Sequence, residues 1–262
     1  MKRMIYQVYV GKPSKLYEHC TASVAMYCQE HGIDHVIQKT PILKIKPDIF
    51  ATNRSRESYE KHGGFLPIYE KENALDYFDR YDQICVVDAD IWIRPGSPNI
   101  FDELNPNVDF AGVVEREMPI HDWYKQKIKN YSAMQYQGLH VQDNVNFEPN
   151  NLGYEFYNMG LMLMNKSITE KMKARSARAF IERSDFKGFV DGIGAWKWST
   201  DQTLLNYWIR KDKVVQQHLD WRWNALYTAV QNPKEANFVH FFLKDKLPSN
   251  GENVEQLMEQ IL

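Results

Sequence analysis

Two carboxylates in the first half of the chain, Asp88 and Asp90, close the apolar run Ile84 to Val87. Residues two apart on an extended chain point the same way, so both side chains converge on one small volume. Such a pair at the end of a buried strand is costly unless something positive stands beside it. Carboxylate oxygens suit Mg²⁺ or Mn²⁺, ions that keep positions open for substrate phosphate oxygens. The pair therefore reads as a diphosphate-binding device, although Asp-x-Asp after a strand is also a common capping or turn pattern.

Other residues could join this chemistry. Lys71 shares a helical stripe with Ile68, Leu75 and Phe78, where a lysine must either snorkel or meet an anion. Asn158 and Gly160, two apart in an apolar run, face one side; the glycine marks a bulge or leaves room for close approach by a sugar or backbone. Asp201 lies on the stripe of Leu204, Leu205 and Trp208, and Ser199-x-x-Gln202 has the form of a capping box. A helix end capped in this way can still present Asp201 to sugar hydroxyls. His240, within the apolar run Phe238 to Phe242, reads by itself as a core histidine satisfied by one hydrogen bond. Lys246 is close enough in sequence to share an anionic ligand with it.

The elements that must position these groups alternate. Met4 to Val10 predicts a strand, and Leu16, Cys20, Val24 and Tyr27 recur at helical spacing after it. A strand over 35–43, a helix over 66–81 and a buried strand ending at Val87 follow. The last is apolar at both parities, as a central parallel strand covered on both faces should be. Further strands are predicted at 110–115, 157–164, 214–218 and 237–242, with helices at 169–182 and 200–210. Strand–helix alternation predicts an α/β fold with its ligand site beyond the carboxyl ends of the strands. Between Arg116 and Glu155 periodicity fades, and Trp123, Tyr124, Tyr131, Tyr136 and His140 suggest a loop whose rings stack on an acceptor sugar.

The run Tyr81 to Ile91 resembles the DxD strand of GT-A glycosyltransferases, especially the family-8-like retaining group that includes glycogenin. Four further segments agree in order: Tyr157 to Asn165 with that group's Asn-x-Gly strand, Asp201 to Asn206 with its Asp-Gln helix, Trp223-Asn224 with its Trp-Asn pair, and His240 to Lys246 with its His...Lys segment. The resemblance implies a Rossmann-like, mostly parallel sheet and sugar transfer from a nucleotide-diphosphate donor, UDP by family habit, to a glycan or glycoconjugate. It implies Asp88, Asp90 and His240 as Mn²⁺ (or Mg²⁺) ligands, Asp88 alternatively touching the donor ribose. It places Lys71, Asn158, Gly160 and Lys246 at the donor, with Lys246 on the diphosphate, and Asp201 and Gln202 at the reacting centre. Leu243 stands where that group has a glycine, and Lys246-Leu247-Pro248 replaces its Lys-Pro-Trp ending.

Composition narrows the alternatives. With 262 residues, 44% hydrophobic and 25% charged, the chain reads as one domain over 1–262. Residues 1–115 form its nucleotide-binding half, and 116–262 complete the metal and acceptor sites. A net charge of -2, from 32 basic and 34 acidic residues, carries no footprint for nucleic acid. Cys20, Cys28 and Cys85 lack disulfide or zinc spacing, which suggests reduced thiols in a cytoplasm. The amino-terminal apolar run is too short for a signal sequence, and no stretch approaches a membrane span. The basic segment from Lys166 to Arg183 leaves a peripheral membrane contact open but reads first as solvated surface. Two rivals remain: a haloacid-dehalogenase-type phosphatase, whose paired aspartates normally lie near the chain start, and a non-catalytic sugar-binding protein.

Overall fold

The computed structural model describes residues 1–198 and 201–262, so the Ser199 half of the predicted capping box lies outside the described residues. Strand β1 (Arg3–Val8) leads to helix α1 (Lys15–His31), which Ser14 caps by accepting a hydrogen bond from the Tyr17 N–H, and which Gly32 ends at φ 63°. Strand β2 (Asp34–Gln38) stops short of the predicted 43. Glu70 explains this: its carboxylate accepts from the backbone N–H groups of Ile42, Leu43 and Lys44, turning the chain away from the sheet.

After α2 (Asn53–His62), the predicted helix over 66–81 is instead a run of 3₁₀ turns, Pro67–Asp79. Its successive polar residues are drawn to different partners, Glu70 to the 42–44 loop, Lys71 to Asp88 and Asn73 to the Tyr6 hydroxyl. Strands β3 (Gln83–Val87), β4 (Ile91–Ile93) and β5 (Phe110–Val114) follow.

The stretch 116–155 is not the loop its composition suggests. It contains the twenty-residue helix α3 (Asp122–Val141) and the short hairpin β6 (Pro149–Asn150) and β7 (Gly153–Tyr154). The buried face of α3 runs Tyr124, Ile128, Ser132, Gln135, Tyr136 and Leu139, a helical spacing masked by its polar members. Tyr136, expected to stack on an acceptor, is fully buried between Phe147 and Phe156 at centroid distances of 4.6 and 5.2 Å.

Beyond β8 (Tyr157–Asn165), the predicted helix over 169–182 is only a 3₁₀ turn, Lys166–Lys171, and the five-residue helix α4 (Ala177–Ile181). Lys173 and Arg183 are tied to Asp212 at 2.6 and 2.7 Å, so no continuous basic helix is available to lie on a membrane. No helix of the described residues is long and apolar enough to cross one. The chain continues through α5 (Lys187–Asp191), α6 (Asp201–Lys211), β9 (Gln216–His218), β10 (Ala225–Leu226), β11 (Phe238–His240) and α7 (Val254–Ile261).

The main sheet has the order β2-β1-β3-β8-β5-β9, in which β8 alone runs antiparallel to its neighbours. This is a mixed α/β fold with a mostly parallel sheet. β8, from the second half of the chain, lies between β3 and β5 of the first, so both halves build one sheet. β3 is buried at every position. A second sheet, β10-β11-β4, pairs His240 with Ile91 in antiparallel register and bonds the Phe241 N–H to the Asp90 carbonyl at 2.9 Å.

Candidate active site

A pocket of about 290 Å³ opens where β3 ends, walled by Tyr17, Lys71, Asp88, Asp90, Asn158, Gly160, Asp201, Gln202 and His240 among others. Each wall comes from a different element: α1, the 3₁₀ run, the β3–β4 turn, β8, α6 and β11. The β4–β11 pairing carries His240 to the two aspartates. One ligand atom from each of Asp88, Asp90 and His240 lies within 4.8 Å of the others, and His240 Nε2 is 3.4 Å from Asp90 and 3.9 Å from Asp88. Two carboxylates and an imidazole form a donor set that fits Mn²⁺ or Mg²⁺, with positions left for phosphate oxygens.

A buried hydrogen-bonded chain orients the histidine. His240 Nδ1 lies 3.1 Å from the Asn224 side-chain oxygen, which can only accept, so that nitrogen carries the proton and Nε2 faces the aspartates. Asn224 donates to Asn158 at 2.9 Å, Asn158 donates to Glu115 at 2.9 Å, and Glu115 accepts from the Tyr124 hydroxyl. Asn158 also accepts from the Gly160 N–H at 3.0 Å. Its side chain, expected at the donor, lines the pocket but spends its polar atoms holding this chain. Gly160 does provide a close approach, by the His240 ring: a β-carbon there would stand 2.4 Å from Cε1 and 2.6 Å from Nδ1. Burial works against a proton on His240, but the hydrogen bond and charge of Asp90 outweigh it and raise the ring above its ordinary value. Burial likewise opposes charge on Asp90, and His240 overcomes it, holding that carboxyl below its usual range.

Lys71 does not snorkel. Its ammonium lies 2.8 Å from Asp201 and 3.1 Å from Asp88, and donates to the Met159 carbonyl at 2.7 Å. Burial opposes this charge, yet Asp201 and Asp88 hold the lysine protonated above its ordinary value. It is the positive partner of Asp88, as His240 is of Asp90. Gln202 accepts from the Met159 N–H at 3.1 Å, which fixes its amide in the same wall.

No protein-family model and no curated protein matches this sequence. Solved structures do. A glycosyltransferase involved in glycosylation of the major capsid of PBCV-1 aligns over 98% of this chain and 100% of its own, with 13% identity and a TM-score of 0.56. The galactosyltransferase LgtC, solved with donor and acceptor sugar analogs, aligns over 98% and 95%, with 12% identity and a TM-score of 0.56. The chain has the GT-A glycosyltransferase fold. At such identities the likeness speaks for the fold, and the chemistry rests on the side chains.

Lys246 is not in the pocket wall; its ammonium sits over the Trp123 ring, 4.0 Å from the centroid. Leu243 adopts φ 57° and ψ 64°, the left-handed conformation a glycine takes without strain, and the chain then winds through a 3₁₀ turn, Lys244–Lys246. Lys244 does not line the pocket either, but its ammonium lies 3.7 Å from the ring centroid of Tyr17, a pocket residue, and its charge is felt by Asp90. Lys244, Tyr17 and Glu115 were not singled out from sequence. Lys244 carried a signal, as a second lysine beside the one that fits the motif. Glu115, at the end of a buried strand, carried none beyond its position.

Proposed function

We propose that the chain transfers a sugar from a nucleotide-diphosphate donor, UDP being the nucleotide expected from family habit, to a carbohydrate or glycoconjugate acceptor, with Mn²⁺ or Mg²⁺ and with retention of anomeric configuration. The carrying observation is the convergence of Asp88, Asp90 and His240 in one pocket with Lys71, Asp201 and Gln202, at the strand ends of a GT-A fold. Asp88, Asp90 and His240 would hold the metal, which supplies positive charge to the departing diphosphate. Lys244, over the ring of the pocket residue Tyr17, would add a second charge there, the role the motif gives to Lys246.

Retention is favoured over inversion by the state of Asp201. An inverting reaction needs a carboxylate base, and Asp201 is already held by the Lys71 ammonium at 2.8 Å. Gln202 is then the side chain next to the reacting face. A phosphatase reading has no support in this fold. The three buried thiols are free cysteines, which fits a reducing compartment such as the cytoplasm.

A panel of nucleotide sugars, screened for release of nucleoside diphosphate with and without Mn²⁺, tests the proposal. Release by the wild-type chain that needs metal and is lost in Asp90→Ala supports it. Metal-dependent donor binding with no release from any donor would point to the non-catalytic sugar-binding alternative.

A further inference from the structure

Beside the pocket, and sharing Ile68 with it, lies an open groove of about 570 Å³ between α2 and the 3₁₀ turn Gly194–Trp198. Its volume is in the range of small-ligand sites. One side presents Arg54, Glu57 and Lys61, which fall on a single face of α2 by their helical spacing. The other presents Lys197 and Trp198, whose indole is 68% exposed. An exposed indole is a platform for the apolar face of a sugar ring, and Lys197 already rests a cation on it, 4.9 Å from the centroid.

The groove is unbalanced in charge. Its lining holds three permanent cations, Arg54, Lys61 and Lys197, against one carboxylate, Glu57, which is paired with Lys61 at 2.6 Å. Arg54 donates to the Phe189 and Trp196 carbonyls, neutral groups that anchor it without cancelling its charge. A sugar stacked on Trp198 therefore meets a field that favours negative charge.

We propose that this groove is a carbohydrate subsite selective for an anionic sugar, Trp198 supplying the stacking face and Lys61 and Lys197 reading a carboxylate or phosphate on the ring. It rests on the proposed transferase function in one respect, that the ligand is then the acceptor, seated beside the Ile68 that the groove shares with the donor pocket.

The test measures binding of three matched probes, methyl β-glucoside, methyl β-glucuronide and methyl β-glucoside 6-phosphate, by saturation-transfer NMR on the full chain with UDP and Mn²⁺ present. The anionic probes should bind about tenfold more tightly than the neutral one, the effect of two exposed ion pairs. Lys61→Ala combined with Lys197→Ala should erase that preference and keep neutral binding, while Trp198→Ala should weaken all three. All three side chains are solvent-facing, so these variants should fold. The better of the two anionic probes identifies the charged group. Equal binding of neutral and anionic probes, no binding of any, or an ineffective Trp198→Ala would overturn the inference. Mn²⁺-dependent UDP binding, measured on the same proteins by calorimetry, separates the two ideas: its absence in wild type rejects the donor reading alone, and its persistence in Trp198→Ala shows that a lost sugar signal belongs to the groove.

Discussion

Replacing Lys71 by methionine keeps the apolar stem and deletes one charge, and a lysine that merely snorkelled would tolerate that change with little harm to folding. The structure says otherwise. The ammonium faces Asp201, whose side chain is 8% exposed, at 2.8 Å, and Asp88, whose side chain is 31% exposed, at 3.1 Å. Removing one member of a buried pair costs about 3–5 kcal/mol, because the remaining charge keeps its desolvation penalty. The more exposed Asp88 contact adds at most about 1 kcal/mol. For a domain of this size, a loss on that scale lowers the melting temperature by about 6–20 °C. Urea unfolding of Lys71→Met should show the deficit as a shifted midpoint with an unchanged slope. The double variant Lys71→Met with Asp201→Asn should recover at least about half of it, since the buried carboxylate that faced the ammonium is then neutral. Mn²⁺ should rescue little, as the metal-type cluster contains Asp88 but not Asp201. A single variant within about 0.5 kcal/mol of wild type would refute the reasoning and return Lys71 to the snorkelling role.

Three further outcomes are expected. In the metal-free chain the raised pKa of His240 contributes stability that is full below its ordinary 6.5 and is lost as pH rises through the higher folded value, while the lowered pKa of Asp90 contributes above 3.8 and is lost as pH falls; Mn²⁺ affinity runs the other way, rising with pH because the metal needs a neutral imidazole. Melting curves and Mn²⁺ titrations across about pH 5 to 8 check both trends, and His240→Ala should flatten both. Gly160→Ala should push the His240 ring off the aspartates and cut Mn²⁺-dependent nucleotide affinity by about tenfold or more; calorimetric equality with wild type would count against the packing argument. Lys244→Ala should weaken UDP binding more than Lys246→Ala does, and the reverse order would restore the diphosphate role to Lys246.

Much of the site was legible because its signals are local. Asp88 and Asp90 are close in sequence, although the β3–β4 turn rather than strand periodicity brings them together, Lys71 is conspicuous in an apolar stripe, and a run apolar at both parities marks β3 as an inner strand. Elsewhere local signals misled. The polar residues Ser132 and Gln135 on the buried face of α3 mask a twenty-residue helix, and Tyr136 belongs to its core face rather than to a sugar platform. Competing side-chain partners turned 67–79 into 3₁₀ winding, and Glu70 cut β2 short.

What the sequence by itself determined is the alternating α/β plan and the identity of the charged groups able to act, since composition and spacing suffice for both. Only the tertiary structure decided their arrangement. His240 becomes a candidate ligand because β11 pairs with β4 and Gly160 leaves room for its ring. Lys71 becomes an ion-paired anchor because α6 brings Asp201 to it. After the left-handed Leu243, Lys244 lies over Tyr17 and Lys246 over Trp123. Each depends on contacts between segments far apart in the chain, where the interaction energy is set by distance and burial, quantities that spacing along one segment does not carry.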